Sequence, residues 1–431
     1  MPHRIHKHLN KFKRHTGIHT PTEFVPEKKI NHPKKLKSFL FNMYAFKLFS
    51  GCVFLYPVMS IMFLKNGVSN IEISILFALW AFFVFIFQPF VGNIGDKFSR
   101  KKLLLIGQFA KMFCFAIFIM FPNFAGYLIG FVFWGLQWAI EASICEAFVY
   151  DELLCLDAKE KYTEVSGRML AFQQIGFFIS TLGSFIAAEW GYNFVMFITI
   201  VNMLLSAVFI HRIKMIQPTS FVKKKKDSLL KHIEIGAKTI VKIKYLILTM
   251  FILSCVMSVA ELDDYLGLLG TEIGVPMEFI GIMFAIANIS EMIGGFAAKH
   301  FAKFSARSIS SIIVIMGLIF GLASLSNIYI IWPILFASYF IYAIIRISLT
   351  TKIQNAVPSN RRSMVLSLYD MLGQASIMIF YGLITIGSTL SGYRLGYLLC
   401  GSAIIFLGII GMIFIHDIKP MKNQPCCSIE N

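Results

Sequence analysis

The stretch that decides the fold runs Gly92-Asn-Ile-Gly-Asp-Lys-Phe-Ser-Arg-Lys-Lys102 and separates two long apolar runs. Gly92 lets two helices approach closely, and Asp96 can cap the positive N-terminus of the helix that follows. Arg100, with Lys101 beside it, can pair with a carboxylate on a neighbouring helix. We therefore predict a latch between helices at this junction, built from these four residues.

The composition places the chain in a membrane. Hydrophobic residues make up 57% of the 431 positions, charged residues make up only 15%, and the mean hydropathy is +0.71. A soluble domain cannot bury that much apolar surface. The net charge of +17 would suit nucleic acid, but the placement of the charges predicts a lipid bilayer as partner and no nucleic acid. The eight cysteines lack paired spacing, so we predict no disulfide framework and no metal site.

Twelve apolar runs recur along the chain, each near the roughly 20 residues that cross about 30 Å of hydrocarbon. They cover residues 39–64, 71–95, 103–120, 124–150, 169–190, 194–210, 245–269, 279–298, 309–325, 329–351, 364–386 and 395–415. We predict an all-α membrane protein with twelve transmembrane helices.

The 40 lysines and arginines give the direction of these spans. Nearly all fall in the tails and in alternate loops, whereas the loops of the other side hold only Lys65 and Arg394. Because cytoplasmic loops accumulate basic residues, both termini are predicted to be cytoplasmic. Residues 212–244, which contain the run Lys223 to Lys226, are predicted to be a solvated linker. The predicted domains are a basic tail (1–37), two six-helix bundles (38–211 and 245–416) and a second tail (417–431).

An internal repeat relates the two halves. The stretch Gly67 to Ala78 aligns without gaps on Gly274 to Ala285 and matches at six of its twelve positions. Gly191-Tyr192 and Gly392-Tyr393 fall at matching turns, before the sixth and the twelfth span. The repeat therefore predicts two pseudo-symmetric six-helix bundles, related by an axis along the membrane normal.

The junction motif, Gly-x3-Asp-basic-x2-Arg-basic, resembles the signature of the major facilitator superfamily, and the resemblance spans residues 38–416. It implies a small-molecule substrate, transport by alternating access, no cofactor and a monomer. In that family the region stabilises the outward-facing state, so that breaking the latch is part of the cycle. Ser99 stands where the family usually has glycine, and in the second half Lys299 replaces the acid, so the second latch must differ.

The fourth span ends in Glu146-Ala-Phe-Val-Tyr-Asp151. This run looks like that of a poorly characterised group of bacterial facilitators, and the resemblance implies a bacterial cytoplasmic (inner) membrane. Asp151 is the expected partner of Arg100. The mid-span arginine of many antiporters is absent from this span, and residues 176–183 lack proline, which weakens a multidrug label.

Acids inside the spans are the candidates for a proton or cation site, because burial disfavours their ionised form. They are Glu141 and Glu146 in the fourth span and Glu261 and Asp264 in the seventh. Glu261 and Asp264 are three apart on one helix face, with Asp263 turned away. The alternative is that each acid belongs to a structural hydrogen-bond network.

Further polar residues of the spans are candidates for the substrate cavity. Arg346, Asp370 and Glu291 come at similar depth, which predicts a buried pair or triad, either structural or binding an anionic substrate group. Lys47 and Lys111 are expected to snorkel to the interface. The neutral candidates are Gln88, Gln137, Gln173, Asn288 and Gln374.

These features favour a proton-coupled secondary transporter that exports a small solute. Uptake of a nutrient or metabolite coupled to a proton or another cation, and a non-transporting sensor on the same fold, are the alternatives. An ATP-driven permease is disfavoured because the chain has no Gly-x4-Gly-Lys-Ser/Thr loop, and an enzyme because the spans contain no nucleophile with its base. The spans are aromatic, rich in methionine and acidic at depth, which favours amphiphilic or cationic solutes.

Overall fold

The computed structural model describes residues 33–95, 98–158, 161–215, 245–301, 304–357 and 362–415, and these residues fold into helices without a β-strand. Twelve helices follow in chain order: α1 (Pro33–Lys65), α2 (Asn70–Gly95), α3 (Arg100–Met120), α4 (Phe124–Cys155), α5 (Tyr162–Ser180), α6 (Gly183–Arg212), α7 (Leu246–Glu272), α8 (Met277–Phe301), α9 (Ala306–Leu325), α10 (Ile331–Ala356), α11 (Arg362–Leu390) and α12 (Tyr393–Phe414). The predicted fold class is therefore confirmed. The predicted linker lies mostly outside the described residues, and the two tails lie almost entirely outside them.

Eleven of the described helices are long and apolar enough to cross a membrane, and α5 is the exception. Its first turns carry the ion pair Glu164–Arg168, which lowers its mean hydropathy. Helix α6 bends at Gly191, whose φ of 78° lies in the left-handed region that favours glycine. The fifth crossing is thus α5 continued through residues 183–190, and residues 192–212 form the sixth.

The two halves repeat the same backbone irregularities, as the sequence repeat predicted. All four described glycines with positive φ fall in the two aligned pairs, Gly67 with Gly274 and Gly191 with Gly392. Helix α1 is broken by a 3-10 turn at Tyr56–Val58, and α7 is broken at the equivalent place by Leu262–Tyr265. A break exposes backbone groups and redirects side chains, so the two matched breaks mark where the halves face one another.

The bundle has two ends, a terminal end and a distal end. The terminal end carries residue 33, the α2–α3 junction and the last residue of α12; the distal end carries the turns at Gly67, Gly191, Gly274 and Gly392. Each half buries its own apolar helix faces, and the cores of the two halves meet towards the distal end.

Candidate functional site

A cavity of about 270 Å³ lies between the two halves, at the level of the breaks in α1 and α7. Helices α1, α2, α4 and α5 supply one wall, and α7, α8 and α10 supply the other. Its lining is Tyr56, Pro57, Met59, Phe77, Trp80, Phe131, Trp134, Trp138, Gln174, Phe177, Ser180, Thr181, Met257, Ala260, Glu261, Asp263, Asp264, Phe284, Asn288, Glu291, Tyr342 and Arg346. Aromatic rings dominate the first wall, and ionisable groups dominate the second.

Three carboxyl groups of α7 line this cavity. The α-helix ends at Glu261 and continues as a 3-10 turn with three residues per turn, so α-helical spacing no longer decides which side chains share a face. The prediction that Asp263 turns away is therefore wrong, because Asp263 lines the cavity with Glu261 and Asp264. Asp264 Oδ2 accepts a hydrogen bond from the Tyr381 hydroxyl at 2.9 Å. Among the described residues, the Glu261 carboxylate has no hydrogen-bond or ion-pair partner.

An ion pair forms the part of the cavity wall nearest the terminal end. Arg346 Nη1 lies 2.6 Å from Glu291 Oε1, so these two residues pair as predicted. The predicted burial of the pair is wrong, because the Arg346 side chain is exposed and that of Glu291 is only partly buried. Their side chains keep 45% and 26% exposure, so solvent reaches the cavity from the terminal end. The side chain of Asp370, the third predicted member, lies outside the described part of the structure.

A second buried network lies in the first half, between α1, α4 and α5. Lys47 Nζ is 2.6 Å from Glu141 Oε1 and 3.4 Å from Gln173 Oε1, while Gln137 Nε2 donates to Glu141 Oε2 at 2.7 Å. Both members of the ion pair are nearly buried, with side-chain exposures of 11% and 13%. Glu141 is therefore held in the hydrogen-bond network that was the alternative to a coupling role.

The expectation that Lys47 and Lys111 snorkel is wrong. Lys47 points inward to Glu141 because a carboxylate is within its reach. Lys111 is 3% exposed, and its ammonium lies 5.3 Å from the centre of the Trp134 ring, a cation–π contact. Depth in the span alone did not show that buried partners were available to both lysines.

The other predicted polar residues divide between the cavity and its surroundings. Asn288 lines the cavity, whereas Gln174 takes the place predicted for its neighbour Gln173. Gln88 and Gln374 lie outside the lining, and the Gln374 Oε1 is buried without a hydrogen-bond partner within the described residues. Glu146 is exposed at the terminal end, where it accepts hydrogen bonds from the hydroxyls of Tyr162 (2.5 Å) and Ser166 (2.6 Å). Burial, the premise of its candidacy as a coupling residue, does not hold.

Arg100 and Lys101, two members of the predicted latch at the α2–α3 junction, contact α4 and α6. Arg100 pairs with Asp151, as predicted, and also donates to the backbone oxygen of Ala147 at 2.7 Å. Lys101 Nζ donates to the backbone oxygens that end α6, at 2.8 and 2.7 Å. Ser99 has φ −59°, so the position that is usually glycine does not need glycine here.

Two predicted latch residues cannot be placed. Asp96 lies outside the described residues, and so do the surroundings of Gly92. The Arg100–Asp151 pair joins two helices of the same half, so it does not itself bridge the halves.

The distal end of the cavity is closed by contacts between the halves. The Tyr265 hydroxyl donates to Ser74 Oγ at 2.8 Å, and the Tyr393 hydroxyl donates to Asn70 Oδ1 at 2.8 Å. The starts of α6 and α8 are joined by hydrogen bonds as well. Phe77 fills the centre of this seal, with its ring 5.4 Å from that of Tyr265 and 5.8 Å from that of Tyr381.

The aromatic wall is the part of the site that sequence reasoning missed. Trp80 and Trp138 pack edge to face with their ring centres 5.8 Å apart, and Tyr56 lies 5.4 Å from Trp134. A signal was present, because Trp134 and Trp138 are four residues apart on α4 and must share a face. Among so many aromatic residues, that spacing did not stand out.

Two matched helical bundles around a central cavity, sealed at one end and open at the other, define a membrane transport protein. The chain belongs to the major facilitator superfamily, which it matches over residues 38–381. Family and fold indicate a transporter of a small molecule rather than an enzyme.

Solved structures share this fold at low sequence identity. The nucleoside transporter NupG is 11% identical with a TM-score of 0.72, over 89% of this chain and 99% of that one. The peptide-family (POT) transporter PepTSo is 14% identical with a TM-score of 0.68, over 89% and 98%. The D-xylose–proton symporter is 13% identical with a TM-score of 0.67, over 90% and 99%. A search of curated proteins gives no match.

Proposed function

We propose that this protein is a proton-coupled secondary transporter that exports a small solute by alternating access. The observation that carries the proposal is the group of three carboxyls at the α7 break. They line a cavity that is sealed at one end and open at the other. A carrier of this kind needs a titrating site whose occupancy biases two conformations, and carboxyls at a helix break that faces the other half supply one.

The orientation follows from the basic residues. With the terminal end in the cytoplasm of a bacterial cell, the lysines and arginines obey the positive-inside rule. The cavity then opens to the cytoplasm, and the conformation described here is inward-open. We also propose kinship with the bacterial facilitators that carry the Glu146-to-Asp151 run.

The coupling site belongs to α7 rather than to α4. Glu141 already has the Lys47 ammonium at 2.6 Å, so a proton arriving there would have to break a buried ion pair. Glu261 has no such partner among the described residues, and Arg346 is already committed to Glu291 at 2.6 Å. The α7 carboxyls are therefore free to exchange protons without dismantling the half that holds them.

Asp264 connects this site to the distal seal. Its carboxylate accepts the Tyr381 hydroxyl, and the Tyr381 ring packs on Phe77 and, at 5.6 Å, on Tyr265. A hydrogen bond to a charged acceptor is roughly twice as strong as one to a neutral acceptor. Protonation of Asp264 therefore weakens the anchor of Tyr381 and loosens the aromatic seal.

The experiment measures conformation, so it needs no substrate. Spin labels are placed across the distal end at positions 190 and 329, and across the terminal end at 214 and 307, in a background without native cysteines. Trp190 and Tyr329 are both exposed, which favours labelling without disturbance. In nanodiscs, acidification is expected to lengthen the distal distance and shorten the terminal one, as measured by double electron–electron resonance. Glu261→Gln/Asp264→Asn should abolish the response, whereas distances that ignore pH in the parent protein refute proton coupling.

A further inference from the structure

The proposed function leaves the solute open, and the cavity walls narrow it. We propose that the cavity binds a monovalent organic cation with a flat aromatic body, held between the α7 carboxyls and the tryptophans of α2 and α4. The inference rests on the proposed function and names the chemical class of its substrate.

The charged side chains that line the cavity are mostly acidic. Its ionisable lining comprises four acids, Glu261, Asp263, Asp264 and Glu291, and one base, Arg346. Because Glu291 and Arg346 neutralise each other at 2.6 Å, the described residues leave no unpaired cation beside the α7 acids to balance their charge when they ionise. A buried negative site attracts a cation and repels an anion, and the effect is strengthened where water is scarce.

The wall supplied by the first half is rich in tryptophan. Three of the chain's five tryptophans, Trp80, Trp134 and Trp138, line this one cavity. Trp134 already stacks with the Lys111 ammonium at 5.3 Å, which leaves Trp80 and Trp138 for a ligand. Their faces attract a cation through the ring quadrupole and stack on a planar apolar body.

The two recognition elements lie on opposite halves. The carboxyls belong to α7 in the second half, whereas the tryptophans belong to α2 and α4 in the first. A ligand that touches both is held differently when the halves rock, which is the differential interaction that alternating access requires.

The cation and the proton then compete for the same carboxyls. Among the described residues, the titratable and charged groups around these acids are Tyr56 on α1, Tyr265 on α7, Glu291 on α8, Tyr339, Tyr342 and Arg346 on α10, Tyr381 on α11 and Tyr397 on α12. Within the part of the chain that the structure describes, Arg346 is their only fixed cation, and it is paired with Glu291. A proton on Glu261 or Asp264 therefore removes the charge that holds the ligand. Under an inward proton gradient, this exchange drives the cation outward.

The test compares three probes of one shape on the purified full-length chain. N-methyl-4-phenylpyridinium carries a positive charge, biphenyl-4-carboxamide is neutral and biphenyl-4-carboxylate is negative. At about pH 8 we expect the cation to bind at least tenfold more tightly than either other probe by calorimetry. This is the size of one desolvated cation–π contact or ion pair. Its affinity should fall by about tenfold or more near pH 5.5, because burial and mutual repulsion favour the protonated, neutral form of these carboxyls.

Variants separate the two walls. Glu261→Gln and Trp138→Leu should each weaken the cation about tenfold, whereas Trp190→Phe, exposed at the distal turn and far from the cavity, should not. Equal binding of the three probes by the parent protein, which needs no folded variant, overturns the inference. So does cation binding that is unchanged in both cavity variants. Absent cation binding with an intact pH response of the spin labels rejects the substrate class alone, while binding without that response rejects proton coupling alone.

Discussion

The buried pair Lys47–Glu141 allows a quantitative test of whether Glu141 is a structural residue rather than a proton-coupling residue. Lys47→Met removes the ammonium and leaves the Glu141 carboxylate with Gln137 as its nearest donor, at 2.7 Å. Both side chains are close to 12% exposed, at 11% and 13%, so solvent cannot replace the lost partner. Removing one member of a buried pair costs about 3–5 kcal/mol. We expect Lys47→Met to lower the free energy of unfolding by that amount.

The double variant Lys47→Met/Glu141→Gln isolates the pair. It removes both charges and keeps the side-chain volumes. It should therefore lower the free energy of unfolding less than Lys47→Met alone does. The matched control is Arg168→Met, which breaks a pair at 2.6 Å whose side chains are 59% and 55% exposed. Exposed pairs contribute about 0–1 kcal/mol. Unfolding in mixed micelles, followed by circular dichroism, gives all three values.

A different role for Glu141 would follow if Lys47→Met lowered the free energy of unfolding by no more than Arg168→Met does. That result would mean that Glu141 is protonated or hydrated in the folded protein. The assignment of Glu141 as a structural residue would then fail, and α4 would again be a candidate for proton coupling.

Three further predictions concern packing, the seal and the excluded acid. In Gly176→Ala the new methyl group would lie 2.3 Å from the backbone oxygen of Leu48, so folded yield should fall sharply in size-exclusion chromatography, whereas Gly167→Ala, with open space, should match the parent. Tyr265→Phe removes a hydrogen bond between the halves, worth about 1 kcal/mol, and should shift the distal spin-label population about fivefold towards the open form; an unchanged distance distribution contradicts the seal. Glu146→Gln should leave the pH response intact, since the residue is exposed, and loss of that response would return it to the coupling site.

The fold could be predicted from the sequence because apolar length determines which segments cross a bilayer and basic residues determine their direction. The span count, the repeat and its glycines at Gly67 and Gly274 all appear in the structure. The Arg100–Asp151 and Arg346–Glu291 pairs were predictable too, since an embedded charge must find a partner at its own depth.

The rest could not be predicted because it depends on departures from regular helix geometry. Asp263 was placed on the wrong face because α-helical spacing was assumed through the 3-10 turn Leu262–Tyr265. Lys47 was misjudged because its partner lies 94 residues away, and depth along a span does not show which helices are neighbours. The cavity tryptophans were missed for the same reason, since Trp80 meets Trp138 only when α2 packs on α4.

The two acidic networks of this protein differ in one physical respect that decides their roles. In the first half, Glu141 meets a fixed cation, so its charge is neutralised within its own bundle in every conformation that preserves that bundle. In the second half, the one described cation next to the α7 carboxyls is Arg346, which Glu291 already neutralises. Their charge must therefore be balanced from outside the protein, by a proton or by a cationic solute. This missing positive charge allows the protein to act as a carrier. The proton or cation that supplies it also determines how firmly Asp264 holds Tyr381, and Tyr381 in turn stabilises the seal between the halves.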